Sequence, residues 1–331
     1  MADKKKNGVK PTEIVSHTGR TLDGQPLAFN QAPASDLVPY FNWFSVSSAD
    51  IPEGVEISDG MFNDHAIIRI LFGGRWTAKT ADGTKVFDPG ESGLTLYFGS
   101  QTRMMPISVQ GSFKVISVHL GAGGATAMGG PKQAEILDRI IDYDELVGHG
   151  RLSSRFRPDA SPEQWLRAFE EELCTFLKLR KSPLPDPLTS AFEDQILGNP
   201  SLPVSAFAER MGTSTRTVER TVKRDYGLTP KQVIRRARAL DMAAALLGVA
   251  MEEEEAALRL RYFDQPHLIR EIRHFFGTTP KKLKTAPHPL LRLNLEVRQN
   301  RRVKALALLP PDVIEPWRDP KAEPANWDPQ I

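Results

Sequence analysis

The sequence predicts a two-domain α+β protein: a β-barrel or sandwich-like N-terminal domain with flanking helices, then an all-α C-terminal domain. Three observations carry this. Short runs of alternating apolar residues, punctuated by turn signals, fill the region from Pro26 to about Leu120. A proline-rich segment, Lys181-Ser182-Pro183-Leu184-Pro185-Asp186-Pro187, then interrupts a helical pattern. Beyond it lies an internal repeat, in which Tyr226-Gly227-Leu228-Thr229-Pro230-Lys231 returns as Phe276-Gly277-Thr278-Thr279-Pro280-Lys281. The expected divisions are a disordered basic tail over 1–25, the first domain over 26–182, the second over 187–285 and an extension over 286–331.

In the first domain, Ile67-Ile68-Arg69-Ile70-Leu71-Phe72 reads as a buried strand closed by Gly73-Gly74. Leu94, Leu96 and Phe98 alternate with Thr95 and Tyr97 as in a half-buried strand. Ile116, Val118 and Leu120 alternate with Ser117 and His119 in the same way. Asp59-Gly60, Asp82-Gly83, Asp88-Pro89-Gly90 and Ser92-Gly93 supply turns. Helices are expected over Lys132 to Leu146 and Pro162 to Leu179. In the second, Trp165, Phe169, Leu173 and Phe176 share one face, as core or as interface.

Candidate chemistry here is sparse. His65 and His119 in the β region, and His17 and His149 beside it, show no ligand spacing with a carboxylate and read as structural. Arg69 is either a rim or paired arginine or a grip for an anionic effector. Gly121-Ala122-Gly123-Gly124 lacks the Lys-Ser/Thr of a phosphate loop and reads as a connection. No nucleophile motif appears, so no enzyme and no cofactor are expected. A cupin-like barrel enzyme would require a bound metal. The lone Cys174 excludes intramolecular disulfides and cysteine metal clusters and suits a reducing compartment, the cytoplasm. No stretch approaches membrane-spanning length.

The second domain repeats the grammar of a helix-turn-helix. Pro203 suits a first helical turn, and Val204, Phe207, Ala208 and Met211 form the apolar face of the first helix. Ala208 is small where a second helix must cross, Gly212 allows a positive φ in the turn, and Ser214 is a natural N-cap. Gly227 ends the second helix and Pro230 opens the next. On that second helix Val218 and Val222 face inward, whereas Arg216, Glu219, Arg220, Lys223 and Arg224 face out. In the second unit Ala257 takes the small position, Asp264 caps, and Gln265, His267 and Arg270 point outward against inward Leu268, Ile272 and Phe276. A helix from Pro230 to Leu247 joins the units.

Charge agrees with this division. The whole chain carries a net +2, yet residues 204–284 hold sixteen Lys/Arg against ten Asp/Glu, which suggests a polyanion partner for that region alone. An α-helix fits the major groove of B-DNA, and arginine matches the O6 and N7 of guanine. Glu219 either accepts from cytosine N4 or orients Arg216. Lys223, Arg224, Arg235, Arg236 and Lys281 are the expected phosphate contacts. The lysines near the N-terminus (Lys4, Lys5, Lys6, Lys10) belong to a disordered tail or to an arm that reaches DNA.

Residues from about Leu188 to Lys284 resemble the DNA-binding domain of AraC/XylS-type transcription regulators. The most specific stretch runs from Asp264-Gln265-Pro266-His267-Leu268-Ile269-Arg270 through His274-Phe275-Phe276-Gly277-Thr278-Thr279-Pro280. The resemblance implies base contacts from Arg216, Glu219 and Arg220 in the first unit and from Gln265, His267 and Arg270 in the second. It implies double-stranded DNA and RNA polymerase as partners. More loosely, Pro26 to Gly148 looks like a sensor-type domain found before such modules, for a small-molecule effector or for forming a homodimer. Two departures stand out: Arg261, followed by Tyr262, where the family has glycine, and the run Glu252-Glu253-Glu254-Glu255 at the start of the second unit. They predict that the first unit dominates specific binding, and they motivate the rival reading of a protein-binding regulator with vestigial DNA contact. After Lys284, Leu291, Leu293, Leu295 and Val297 alternate with polar residues at a strand-like period, followed by Arg301, Arg302, Lys304 and a Pro-rich end with Trp317 and Trp327. This extension either packs back on the protein or stays mobile.

Overall fold

The computed structural model describes residues 14–15, 28–148, 151–250 and 265–308. In them, nine strands make one antiparallel sheet: β1 (Ile14–Val15), β2 (Ala28–Gln31), β3 (Phe41–Ala49), β4 (Glu56–Met61), β5 (Ile67–Thr80), β6 (Gly83–Phe87), β7 (Leu94–Phe98), β8 (Met105–Leu120) and β9 (Ile140–Asp142). The order is β1-β2-β3-β8-β5-β7-β9, with β4 added to β8 and β6 to β5. Strand β8 is the spine. It pairs with β5 along one edge and with β4 and then β3 along the other.

Two turn expectations fail locally. Gly73-Gly74 does not close a strand. Both residues sit at positive φ, 62° and 63°, and form a bulge within β5, which shifts register against β8 and runs on to Thr80. A Cβ at Gly73 would lie 2.6 Å from the Ser112 carbonyl oxygen, so a side chain is excluded there. Asp59-Gly60 lies inside β4.

Helices α1 (Gly124–Ala127), α2 (Tyr143–Val147) and α3 (Pro162–Arg180) follow. The helix expected over Lys132 to Leu146 is instead a 3-10 turn at Gln133–Glu135, strand β9 and short α2. The β-branched pair Ile140-Ile141 extends the sheet beside β7. Asp142 then caps α2 by accepting from the backbone N–H of Asp144 and Glu145. Helix α3 forms where expected and opens on a Ser161/Gln164 capping box. Its Trp165, Phe169 and Leu173 bury against Phe72, Phe156, Ile68 and Ile70, so this stripe is core.

The alternation along β3, β5, β7 and β8 therefore separates two buried faces, not a buried face and a wet one. Phe44, Val46, Ile68, Ile70, Tyr97, Ile116 and Val118 point toward α3. Ile67, Leu71, Leu96, Phe98 and Val115 line the inner face, together with the polar members of the alternation, Ser45, Ser47, Arg69, Ser117 and His119.

The helical domain comprises α4 (Pro187–Gly198), α5 (Val204–Arg210), α6 (Thr215–Tyr226), α7 (Pro230–Leu246), α8 (Gln265–Phe276) and α9 (Pro280–Thr285). The extension beyond it forms α10 (Pro289–Leu308), a helix and not a strand. Helix α10 is wedged between the two domains and buries two faces. Leu291 and Leu295 pack with Leu240, Leu268 and Ile272, while Leu290 and Leu293 pack on the inner face of the sheet. Two apolar stripes on one helix mimic a period of two. Asp59 of β4 secures its start, accepting from the backbone N–H of Leu290 (2.7 Å) and Leu291 (3.0 Å) and pairing with His288 (2.8 Å). Among the described residues no helix is long and apolar enough to cross a membrane.

A buried polar hub joins the domains where α10 passes the β4–β5 connection. Asp64 binds Arg298 and Arg301, each at 2.5 Å, and Arg298 also binds Asp241 of α7 at 3.0 Å. Glu193 of α4 meets His65 at 3.0 Å and Arg301 at 3.4 Å, and it accepts from the Tyr226 hydroxyl at 2.7 Å. Burial alone would raise the carboxyls of Asp64 and Glu193, but the groups beside them overcome it. Arg301, Arg298 and His65 hold Asp64 well below its ordinary range, and His65 with Arg301 holds Glu193 at about 2. A carboxyl depressed in the folded state contributes stability above its unfolded value and loses it as pH falls toward the folded one. The thermal midpoint is accordingly expected to drop steeply between about pH 4.5 and pH 2. A midpoint unchanged from pH 6 down to pH 3 would show that the hub contributes nothing to stability.

Candidate nucleic-acid interface

Helices α5 and α6, joined through Met211 to Ser214, form the first helix-turn-helix. Gly212 takes φ 61°, and Ser214 caps α6 by accepting from the Thr217 N–H at 3.1 Å. Ala208 lies buried where the helices cross, beside Phe192, Phe207, Val218 and Val222. Gly227 ends α6 at φ 71°, and a Cβ there would lie 2.7 Å from the Gln133 carbonyl carbon, so the end of this helix sits directly on the 3-10 turn at Gln133–Glu135. Thr229 and Gln232 form a capping box that starts α7, with Pro230 in its first turn.

Packing fixes which face of α6 is free. Val218, Val222 and Tyr226 are fully buried. At about 100° per residue, Arg216, Glu219, Arg220 and Lys223 fall within roughly 100° of arc on the opposite side. All four are exposed, and among the described residues none of the four is in an ion pair. Arg224 stands at the edge of this face, paired with Asp225 at 2.6 Å and with Asp186 at 3.0 Å.

In the second unit, α8 buries Leu268, Ile272, Phe275 and Phe276, and Arg270 and Arg273 are exposed. His267 is half-buried. The side chain of Gln265 lies outside the described residues, as do Ala257, Asp264, Arg261, Tyr262 and Glu252 to Glu255. The β domain reaches this unit directly. Phe62 stacks on Phe275 (5.9 Å between centroids) and meets Phe276 edge-on (5.3 Å), and the Met104 N–H donates to the Phe275 carbonyl at 2.7 Å.

The expected phosphate contacts divide. Lys223 and Lys281 are exposed. Arg235 clamps Glu271 of α8 with three hydrogen bonds, 2.7, 2.9 and 3.1 Å, tying α7 to α8 while its side chain stays half exposed. Arg236 requires correction. It is 1 % exposed and donates to the carbonyls of Gln101 (2.9 Å) and Asp64 (2.7 Å), so it holds the domains together and does not face a duplex. On α7, with Val233 and Ala237 both buried, position 236 also turns inward. Sequence reasoning missed the hub entirely, because its members lie in segments far apart in the chain. Asp64, His65 and Glu193 bring their ligand-type atoms within 4.8 Å of one another, and Arg298 and Arg301 pair with these carboxylates, so the cluster forms part of the ion-pair hub.

A family of sequences described as "Helix-turn-helix domain" matches residues 207–286, which include α6 to α9. No curated protein matches the chain. Among solved structures, an apo form of ToxT from Vibrio cholerae is similar over 74% of this chain and 97% of its own, at 9% identity and a TM-score of 0.44. An unsaturated fatty acid-bound ToxT from the same organism covers 72% and 94% at 10% identity and a TM-score of 0.41. An oxalate decarboxylase from Bacillus subtilis is similar over 45% of this chain and 34% of its own, at 16% identity and a TM-score of 0.22. The C-terminal domain of this chain, with its exposed arginine face and its matched sequence, belongs to the AraC-type helix-turn-helix domains of DNA-binding transcription regulators.

Proposed function

We propose that this protein is a sequence-specific DNA-binding transcription regulator, not an enzyme, in which the N-terminal β domain responds to a small molecule and biases how the helical units address DNA. The exposed face of α6 is the observation that carries this reading. A helix with one side wholly buried presents Arg216, Glu219, Arg220 and Lys223 on the other, at the end of a short capped turn. In this reading Arg216, Glu219 and Arg220 read bases in the major groove, with Gln265, His267 and Arg270 doing so from the second unit. Lys223, Arg224, Arg235 and Lys281 contact phosphates, Arg224 and Arg235 sharing their charge with intramolecular carboxylates. A cytoplasmic location, contact with RNA polymerase and association with a second copy of the chain belong to the same proposal, on the family resemblance alone.

Genomic pull-down followed by footprinting tests it, since a specific regulator protects discrete sites. Affinity for such a site should fall with salt, with a log–log slope of about −4 if four or five phosphates are neutralised. A flat salt response, or no protected site, would refute the reading.

A further inference from the structure

The inner face of the sheet holds a cavity of about 50 Å³ that the DNA-binding role does not use. Strands β3, β5 and β8 turn Ser45, Ser47, Arg69, Ser117 and His119 toward it, while their apolar neighbours face α3. Leu290, Leu293, Asn294 and Val297 of α10 close it from above.

Arg69 is the anomaly. It is 9 % exposed, and its Nε donates to the Ser117 hydroxyl at 3.1 Å, its Nη1 contacts the Met61 sulfur, and its guanidinium lies 4.6 Å from the centre of the Phe98 ring. Among the described residues no carboxylate pairs with it. Burial lowers its pKa only to about 10, so it stays charged at neutral pH. Burial, Arg69 and Arg301 keep the nearby His119 well below its ordinary range, and it is therefore neutral. A second polar group on the wall is also unsatisfied: the buried indole N–H of Trp76 has no acceptor. A buried cation without a counter-charge is costly, and a bidentate carboxylate is the partner its geometry matches best.

We propose that this cavity binds a short-chain monocarboxylate, its carboxylate paired with Arg69 and its alkyl end against Phe98 and Leu293, with α10 as the roof. Size sets the class. One water-sized group needs roughly 10–15 Å³, so the cavity admits about four non-hydrogen atoms, the scale of acetate or propionate. Longer acids must lift α10. The roof residue Val297 is followed directly by Arg298, and Arg301 lies one turn further on, so the helix that touches the ligand also carries the two arginines of the interdomain hub. Occupancy thus reinforces the joint between sensor and DNA-binding domain. This regulatory consequence rests on the regulator reading; the binding site does not.

The test is calorimetry and thermal unfolding of the full-length protein, without DNA, against sodium acetate, propionate and octanoate, with propionamide and inorganic phosphate as controls at matched ionic strength. Acetate or propionate should bind saturably, with a Kd of about 0.1–10 mM as so few atoms permit, and should raise the midpoint. Propionamide should do neither, and octanoate should bind at least tenfold more weakly. Arg69→Gln should abolish binding while raising the ligand-free midpoint, because it removes an uncompensated buried charge; Arg69→Met serves the same purpose if the glutamine variant fails to fold. No saturable response to either short acid, equal binding by propionamide, preference for phosphate, or unchanged binding in both Arg69 variants would overturn the proposal. Carboxylate binding in a protein that protects no DNA site would sink the regulator reading and leave the site standing.

Discussion

Replacing Arg298 by alanine is expected to destabilise the protein by about 3–5 kcal/mol, the cost of breaking a buried ion pair from one side. Its side chain is 4 % exposed and bridges three elements: its own helix α10, Asp241 of α7 at 3.0 Å, and Asp64 of the β4–β5 connection at 2.5 Å. Without it, the Asp241 carboxylate, 1 % exposed, loses a two-point contact, and Asp64 loses one of its two arginines. Urea unfolding measures the loss. Pairing Arg298→Met with Asp241→Leu should recover part of it, because replacing both members of a buried pair by apolar groups removes their desolvation cost together with their attraction. A loss below 1 kcal/mol in the single variant would mean that water reaches the hub, and α10 would then not fasten the domains.

How much of this was legible in the sequence depends on whether the signal was local. The turn grammar of the first unit needs only neighbouring residues: Ser214 as cap, Gly212 and Gly227 at positive φ, Thr229 and Pro230 opening α7. All of it could be read from spacing, and so could the outward face of α6. Alternation in the strands was legible as a period but not as a direction. Ser117 and His119 were expected on a half-wet strand, yet they face an internal cavity, because the other side of the sheet is covered by α3. The leucines of α10 misled for a related reason: a helix buried on two sides shows no single apolar stripe. Arg236 looked like one more cation in a basic region, and only the fold brings it to the carbonyls of Gln101 and Asp64. The hub itself draws on residues from 64 to 301, so no window of sequence contains it.

Removing Arg216 and Arg220 together should lower affinity for a pulled-down site by about 30-fold to 20,000-fold, since each good base contact is worth about 1–3 kcal/mol. The expected effect on folding is small, within about 0.5 kcal/mol, because both side chains are exposed and neither is in an ion pair among the described residues. This separation makes the double alanine variant informative: circular dichroism and the thermal midpoint should match the parent while gel-shift affinity collapses. Lys223→Ala should behave differently, weakening specific and nonspecific DNA alike and reducing the salt slope by about 1. Specificity and charge thus come apart on a single helix. If the double variant stays folded and its promoter occupancy is unchanged, α6 is not the element that enters the groove. The exposed arginines would then be a solvated basic face, and base reading would have to come from Arg270 and its neighbours on α8.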